Sequence, residues 1–115
     1  MLRKFVKSKL HGLKITEANL EYEGSLGVDI DILEAADLFH GEFILVANLN
    51  NGSRFNTYLI AEERGSGKVT LNGAAARLGN IGDRIIVMNE ILLNENEIDK
   101  YNMKVLRFND KNEII

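Results

Sequence analysis

The stretch "FILVANLNNGSRFNTYLIAEE", residues 43 to 63, has the clearest β pattern in the chain. Its two ends are rich in apolar and β-branched residues, and they flank a polar segment that contains Asn51 and Gly52. An Asn-Gly pair between two such runs favours a type I′ turn, in which both central residues have a positive φ. The stretch therefore predicts a β-hairpin, with the pair Gly52-Ser53 in its turn.

Shorter β patterns lie on both sides of this hairpin. Apolar residues at Leu13 and Ile15 alternate with polar ones and predict an early strand. Three later runs also predict strands: "VTL" (69–71), "DRIIVM" (83–88) and "KVLRF" (104–108). The glycine-rich segment "ERGSGK" (63–68) predicts a turn before the first of them. Many short strands indicate a mainly β protein, and we expect a small barrel that closes on itself, because closure removes exposed edges.

Two segments predict short helices. The better one, "DIDILEAADLFHG" (29–41), offers Asp29 or Asp31 as its N-terminal cap and Gly41 as the residue that ends it. Four apolar residues share one face of this expected helix: Ile32, Ala35, Ala36 and Phe39. The other segment, "AAARLG" (74–79), predicts a single helical turn.

The composition is that of a soluble globular protein. The chain has 115 residues, of which 45% are hydrophobic and 27% charged, so we expect one domain. It contains no cysteine, which excludes disulfides, thiol catalysis and cysteine-ligated metal sites. The longest apolar run, "FILVA" (43–47), is too short to span a membrane, and "MLRKFVKSKL" (1–10) lacks the apolar stretch of a secretory signal. We therefore expect a cytoplasmic protein that has no membrane partner.

The first 16 residues are basic, although the whole chain carries a net charge of −3. They contain five cations and no acid: Arg3, Lys4, Lys7, Lys9 and Lys14. Such a segment can bind nucleic-acid phosphates or an anionic ligand, or it can be a solvated strand face paired with acids from elsewhere. With 7% aromatic residues and no tryptophan, no stacking platform for single strands is visible. A non-catalytic barrel that binds DNA through this strand remains an alternative.

The segment "YEGS" (22–25) contains a Gly-Ser pair that no turn explains. The Ser25 hydroxyl can attack the preceding Gly24 carbonyl through a five-membered ring, because the chain itself supplies the proximity. Hydrogen-bond donors would stabilise the resulting oxyanion, and glycine at position 24 leaves the approach open. The ester product can eliminate to dehydroalanine, which hydrolyses to a pyruvoyl group. An ordinary loop, or another self-cleaving enzyme with a free nucleophile at residue 25, would explain the pair as well.

The surrounding motifs resemble those of the pyruvoyl-dependent aspartate 1-decarboxylase family. They are "KLH" (9–11), "YEGS" (22–25), "NGSRFNTY" (51–58), "ERGSG" (63–67) and "NGAAARL" (72–78), and the similarity continues through "IGDRIIV" (81–87) to "VLRFNDKN" (105–112). The resemblance implies a double-psi β-barrel that assembles as a homotetramer with active sites between subunits. It also implies decarboxylation of L-aspartate to β-alanine and CO2 through a Schiff base, in pantothenate and coenzyme A biosynthesis.

The resemblance further implies that Ser25 becomes the covalent pyruvoyl cofactor. Self-cleavage after Gly24 would divide the chain into a β chain, 1–24, and an α chain, 25–115. Thr57 corresponds to the threonine that polarises the Gly24 carbonyl and also contacts the substrate, and Tyr58 to the proton donor. No metal is implied, and the sequence leaves open whether a maturation factor is a partner.

The remaining residues that the resemblance implies would bind substrate. Asn72 and the backbone of three small residues correspond to a wall around the substrate: Gly73, Ala74 and Ala75. Lys9 and Arg54 are the natural partners of a dicarboxylate, and they should bind the carboxylate that is retained, since a cation on the departing one would stabilise the ground state. Arg54 is the better candidate, because its planar fork binds a carboxylate in a bidentate manner. Tyr22 and His11 match family positions without an assigned role.

Overall fold

The hairpin predicted from residues 43 to 63 lies in the middle of the sheet. The computed structural model describes residues 1–115. It contains eight strands: β1 (Arg3–Lys14), β2 (Glu17–Asn19), β3 (Ser25–Asp29), β4 (Phe43–Asn48), β5 (Arg54–Glu62), β6 (Val69–Asn72), β7 (Arg84–Leu93) and β8 (Lys104–Arg107). Three short helices complete it: α1 (Ile30–Ala35), a 3-10 helix (Gly73–Leu78) and α2 (Glu95–Ile98). None of these helices has the length and apolar character needed to span a bilayer.

Strands β4 and β5 form the expected antiparallel pair, from Phe43 opposite Tyr58 to Ala47 opposite Arg54. The predicted turn type is wrong, because Gly52 has a φ of 77° but Asn51 is not among the residues with positive φ. The side chain of Asn48 accounts for the difference. Its Oδ1 accepts a hydrogen bond from the Asn50 N–H at 2.8 Å, while the Gly52 N–H donates to the Asn48 carbonyl at 2.9 Å.

The eight strands form one sheet in the order β2-β6-β3-β5-β4-β7-β1-β8. The prediction of a mainly β, barrel-like protein is confirmed, but the expected closure is wrong, since β2 and β8 remain as edges. Both edge strands are short, with three and four residues. Short edges offer little backbone for pairing with other chains, so the fold limits exposed edges without closing the sheet.

The core lies on one face of this sheet. One row of paired core residues crosses the strands β1, β7, β4 and β5. It consists of Leu10, Val87, Val46 and Phe55, in that order. Since side chains alternate along a strand, their sequence neighbours point to the opposite face, which we call the outer face. Leu26, Leu59 and Leu71 continue the core across β3, β5 and β6 and are completely buried.

Helix α1 begins where the sequence predicted and ends earlier. Asp29 caps it by accepting the Asp31 N–H at 2.8 Å. Asp37 then adopts a φ of 56°, and the Leu38 N–H donates to the Leu33 carbonyl at 2.9 Å. The prediction that Gly41 ends the helix is therefore wrong, and Phe39 does not belong to the buried face, since 66% of it is exposed. The helical turn predicted over 74–79 is confirmed by the 3-10 helix.

Candidate active site

Ser25 begins strand β3, which lies between β6 and β5. It pairs with Asn72 of β6, and the next residue, Leu26, pairs with Leu71 on one side and Leu59 on the other. All five residues of β3 are buried, because neighbouring strands occupy both sides of it. Ser25 itself is 0% exposed, so this hydroxyl is placed in the interior rather than in a surface turn.

Two hydrogen bonds fix the Ser25 hydroxyl. Asn72 Nδ2 donates to Ser25 Oγ at 3.1 Å, and Ser25 Oγ donates to the Glu23 carbonyl at 3.1 Å. Asn72 stands in the capping position of the 3-10 helix but makes no side-chain capping bond, which leaves its amide for Ser25. The contact with Glu23 turns the hydroxyl toward the segment that precedes Ser25, at the carbonyl of the Glu23–Gly24 peptide.

Gly73 holds this peptide from the other side. Its φ is +64°, a conformation that favours glycine. A Cβ added to Gly73 would lie 2.6 Å from both the Cα and the N of Gly24, and 2.8 Å from the Tyr22 carbonyl oxygen. The two glycine backbones are therefore packed directly against each other, and no side chain fits between them. The predicted residues Gly24, Ser25, Asn72 and Gly73 thus come together in one place, with Ala74 and the buried Ala75 following in the 3-10 helix.

Tyr58 and Thr57 lie on β5, next to the start of β3. Leu26 of β3 pairs with Leu59 of β5, and both side chains point into the core. The residues directly before them, Ser25 and Tyr58, therefore both point to the outer face. Thr57 pairs with the buried Ile44 and points the other way. The two adjacent side chains therefore point to opposite faces of the sheet. Thr57 is not a hydrogen-bond partner of Ser25, whose two partners are Asn72 and Glu23.

The predicted cations lie apart from Ser25. On the outer face, His11, Ile86, Ala47 and Arg54 form one row across β1, β7, β4 and β5, and Lys9 lies in the next row opposite Met88. Arg54 and Tyr58 are four residues apart on one strand, a separation of roughly 13 Å. Lys9 is four strands from β3 in the sheet order. Within one chain, therefore, neither cation reaches the Ser25 hydroxyl.

His11 lies among these cations. Burial, and then the positive charges of Arg107 and Lys9, lower the pKa of His11 below its usual value. The parallel pairing of β1 and β8 accounts for the arrangement, since it sets His11 opposite Arg107 and Lys9 opposite Val105. A neutral His11 adds no charge to the outer face at neutral pH, so the positive charge there comes from the lysine and the arginines.

A polar cavity of about 240 Å³ opens on the outer face beside Ser25. Its lining residues come from β2, β5, β6 and the segments next to them: Glu17, Asn19, Tyr22, Ile60, Glu62, Lys68, Thr70 and Asn72. The sequence analysis missed Glu62 and Thr70, because no motif connects them with Ser25. Gly27 is the signal that could have indicated them, since a glycine inside a strand often marks a close approach of other groups. No cluster of three or more His, Asp or Glu side chains is arranged to hold a metal ion.

Known proteins are similar to this sequence over its full length. A family model described as aspartate decarboxylase matches residues 1–115. An aspartate 1-decarboxylase of Staphylococcus epidermidis (strain RP62A) is 50% identical over 115 residues, which cover 100% of this chain and 90% of that protein. An aspartate 1-decarboxylase of Staphylococcus aureus (strain MSSA476) is also 50% identical over 115 residues, covering 100% of this chain and 91% of that protein. The chain therefore belongs to the aspartate decarboxylase family.

Proposed function

We propose that this protein decarboxylates L-aspartate to β-alanine and CO2 after cleaving its own chain between Gly24 and Ser25. The observation that carries the proposal is the completely buried Ser25 hydroxyl, which is held between the Asn72 amide and the Glu23 carbonyl next to Gly24. The full-length identity to aspartate 1-decarboxylases supports the substrate and the reaction. The product would serve pantothenate and coenzyme A biosynthesis, in the cytoplasm.

The chemistry of cleavage balances with groups of this chain and one water. Ser25 Oγ attacks the Gly24 carbonyl carbon, the C–O bond forms, and the C–N bond breaks as the nitrogen takes up a proton, which leaves an ester. Elimination then removes the Ser25 Cα proton to solvent, breaks the Cβ–O bond and forms a Cα=Cβ double bond, which releases the Gly24 carboxylate and ends the β chain, 1–24. Hydrolysis of the remaining dehydroalanine releases ammonia, and the α chain, 25–115, begins with a pyruvoyl group. The family resemblance assigns the polarisation of the Gly24 carbonyl to Thr57, and the Asn72 amide, 3.1 Å from Ser25 Oγ, supports the attacking oxygen.

The residues around Ser25 fit such a group. Gly24 and Gly73 leave no side chain between the cleaved peptide and the 3-10 helix, and the Asn72 amide points at the position of Oγ. The pyruvoyl group supplies an electron sink for the electrons that remain when CO2 leaves. Tyr58, on the same face as Ser25, donates the proton that replaces the lost carboxylate. Asn72 and the backbone N–H groups of the small residues 73–75 hold the substrate.

The separation of the cations from Ser25 supports a site completed by a second chain. Arg54 and Lys9 of one subunit would bind the retained carboxylate of an aspartate held at Ser25 of its neighbour, in a homotetramer. The outer face also carries large exposed side chains that suit an interface, with Phe43 76% and Leu92 56% exposed. Phe43 pairs directly with Tyr58, so an interface here would cover the proton donor.

The DNA-binding alternative has less support. Three cations of the basic strand face acids of the same chain: Lys4 lies 3.4 Å from Glu90, Lys7 lies 3.0 Å from Asp37, and Arg3 lies 3.9 Å from Glu95. A strand whose charges are already paired offers few free cations to a phosphate backbone. Membership of the aspartate decarboxylase family also favours the enzyme over the binding domain.

The proposed reaction is tested with aspartate that carries a carbon label in one carboxylate only. We expect matured protein to release labelled CO2 from the α-carboxylate and to retain the label of the side-chain carboxylate in β-alanine. Ser25→Ala is the control, because it lacks the hydroxyl from which the cofactor forms and should release no label. Cleaved protein that releases no labelled CO2, or releases it from the side-chain carboxylate, would contradict the proposal.

A further inference from the structure

We propose that Glu62 is a positioning residue for self-cleavage, acting on the Ser25 hydroxyl through Thr70 and Asn72. The inference rests on the proposed cleavage after Gly24 and adds to it a residue outside the family motifs quoted above. Three hydrogen bonds form the connection. Thr70 Oγ1 donates to Glu62 Oε2 at 3.0 Å, Asn72 Nδ2 donates to Thr70 Oγ1 at 3.5 Å, and Asn72 Nδ2 donates to Ser25 Oγ at 3.1 Å.

The strand register brings these four side chains together. Thr70 and Asn72 are two residues apart on β6 and share a face, and they pair with Gly27 and Ser25 of β3. Glu62 lies on the other neighbour of β3, in the parallel strand β5, opposite Asp29. The hydrogen bond between Glu62 and Thr70 therefore passes over β3, at the position of Gly27.

Gly27 makes this crossing possible. A Cβ built on Gly27 would lie 2.2 Å from Thr70 Oγ1 and 2.6 Å from Glu62 Oε2. Any larger residue would occupy the place where the hydroxyl and the carboxylate meet. Gly27 is not in the positive-φ region, so backbone strain does not account for a glycine here. The space above it is used by the Glu62–Thr70 contact.

The carboxylate sets the direction of every bond in the series. A carboxylate only accepts hydrogen bonds, so the single proton of the Thr70 hydroxyl is directed at Glu62. The lone pairs of Thr70 then face Asn72, which must present its NH2 group. The second N–H of that group points to Ser25 Oγ, and the Ser25 proton is left for the Glu23 carbonyl. Ser25, Thr70 and Asn72 are all buried, which favours these protein partners over water, although Thr70 and Asn72 also line the polar cavity.

The direction matters because Ser25 Oγ loses its proton when it attacks. An N–H donor stabilises the oxygen as negative charge develops on it, whereas the carbonyl end of the amide would repel that charge. Without Glu62, the Thr70 hydroxyl is free to donate to the Asn72 Oδ1, and the amide can turn its oxygen toward Ser25. Glu62 thus selects the amide orientation that favours attack, although it does not touch the reacting atoms.

The test is the rate at which freshly purified chain divides into 1–24 and 25–115, measured by intact mass. We expect Glu62→Ala to slow this rate about tenfold or more, as one misdirected donor would. Glu62→Gln keeps an oxygen that accepts the Thr70 proton, so it should remain within a few-fold of wild type. Glu63→Ala removes the neighbouring exposed carboxylate and should mature at the wild-type rate. Thr70→Val, which keeps the shape of the side chain, should be as slow as Glu62→Ala, and Thr70→Ser should restore the rate.

Three outcomes would overturn the inference. One is a Glu62→Ala chain that divides as fast as Glu63→Ala, the second is a Thr70→Val chain as fast as wild type, and the third is equal slowing by Gln and Ala at position 62. Thr70→Val keeps the test decisive if Glu62→Ala does not fold. A wild-type chain that never divides would instead contradict the proposed cleavage itself, so the two failures are distinguishable.

Discussion

The immediate surroundings of Ser25 and the distant part of the outer face that carries Arg54 and Lys9 differ in whether one chain supplies all the groups that they need. Around Ser25, the partners of the hydroxyl belong to the same chain, and the residue is fully buried. On the outer face, Arg54 is exposed at the start of β5, roughly 13 Å along the strand from Tyr58. In the proposed function, one chain prepares its own cleavage, whereas the binding of aspartate uses cations from a second chain.

The largest expected effect concerns the packing around Ser25. Gly73→Ala places a Cβ 2.6 Å from Gly24 and imposes about 1–3 kcal/mol of backbone strain at positive φ. We expect this chain to remain uncut over the time in which wild type matures completely, as followed by intact mass.

Gly52→Ala is the matched control for this substitution. Gly52 also has a positive φ, of 77°, but an added Cβ meets nothing within 4 Å. It should lose comparable stability and still mature. Equal maturation of the two variants would show that the contact between Gly73 and Gly24 has no role in cleavage.

A second prediction assigns different steps to Thr57 and Tyr58, which are adjacent on β5. Thr57→Val keeps the β-branched shape and removes the hydroxyl, so cleavage should slow about 10²- to 10³-fold, as for loss of an oxyanion donor. Tyr58→Phe keeps the ring and should mature normally, but its turnover of aspartate should fall about 10²- to 10⁴-fold through loss of the proton donor. Cleavage is read by mass and turnover by β-alanine release. Normal maturation of Thr57→Val, or wild-type turnover by Tyr58→Phe, would break this division of roles.

A third prediction tests whether the outer face serves another chain. Arg54→Ala should lower the turnover of matured protein by about 2–5 kcal/mol of transition-state binding, because a desolvated carboxylate loses its partner. When Arg54→Ala and Tyr58→Phe chains are co-expressed, some interfaces combine an intact Arg54 with an intact Tyr58. Activity should then return to about one quarter of wild type, as expected for random pairing across a symmetric assembly. No recovery in mixed assemblies would place both residues in a site within one chain.

The smallest expected effect is the pH dependence of His11. Because its folded pKa is lowered, folding favours the neutral form, and the unfolded chain takes up a proton first as the pH falls. The contribution of His11 to stability is therefore lost as the pH drops below the unfolded pKa of about 6.5. NMR titration should give His11 a lower midpoint in the folded than in the denatured chain. A folded midpoint at or above the denatured one would contradict the proposed effect of burial, Arg107 and Lys9.

Local features of the sequence predicted local structure well. The apolar runs around Asn51-Gly52 predicted the β4–β5 hairpin, and Asp29 predicted the start of α1. Predictions failed where one residue overrode a pattern. The Asn48 side chain satisfies the Asn50 N–H and changes the turn, and Asp37 adopts a positive φ and ends α1 before Gly41.

The site was predicted only in part, because its arrangement depends on strand order. The family motifs identified Ser25, Tyr58 and Asn72 as one group, and the structure places them around the start of β3. Nothing local in the sequence shows that β1 lies four strands from β3, so the distance of Lys9 from Ser25 could not be foreseen. Glu62 and Thr70 meet only across Gly27 of a third strand, and such a contact has no signature along the chain.

The most direct test of the central claim is the intact mass of the purified wild-type chain under denaturing conditions. We predict two fragments, 1–24 and 25–115, with the larger lacking a free N-terminal amine. Ser25→Ala should give one uncut mass under the same conditions, because no hydroxyl is present to attack Gly24. A single uncut wild-type mass after prolonged incubation, with or without cell extract, or cleavage of Ser25→Ala at the same bond, would contradict it.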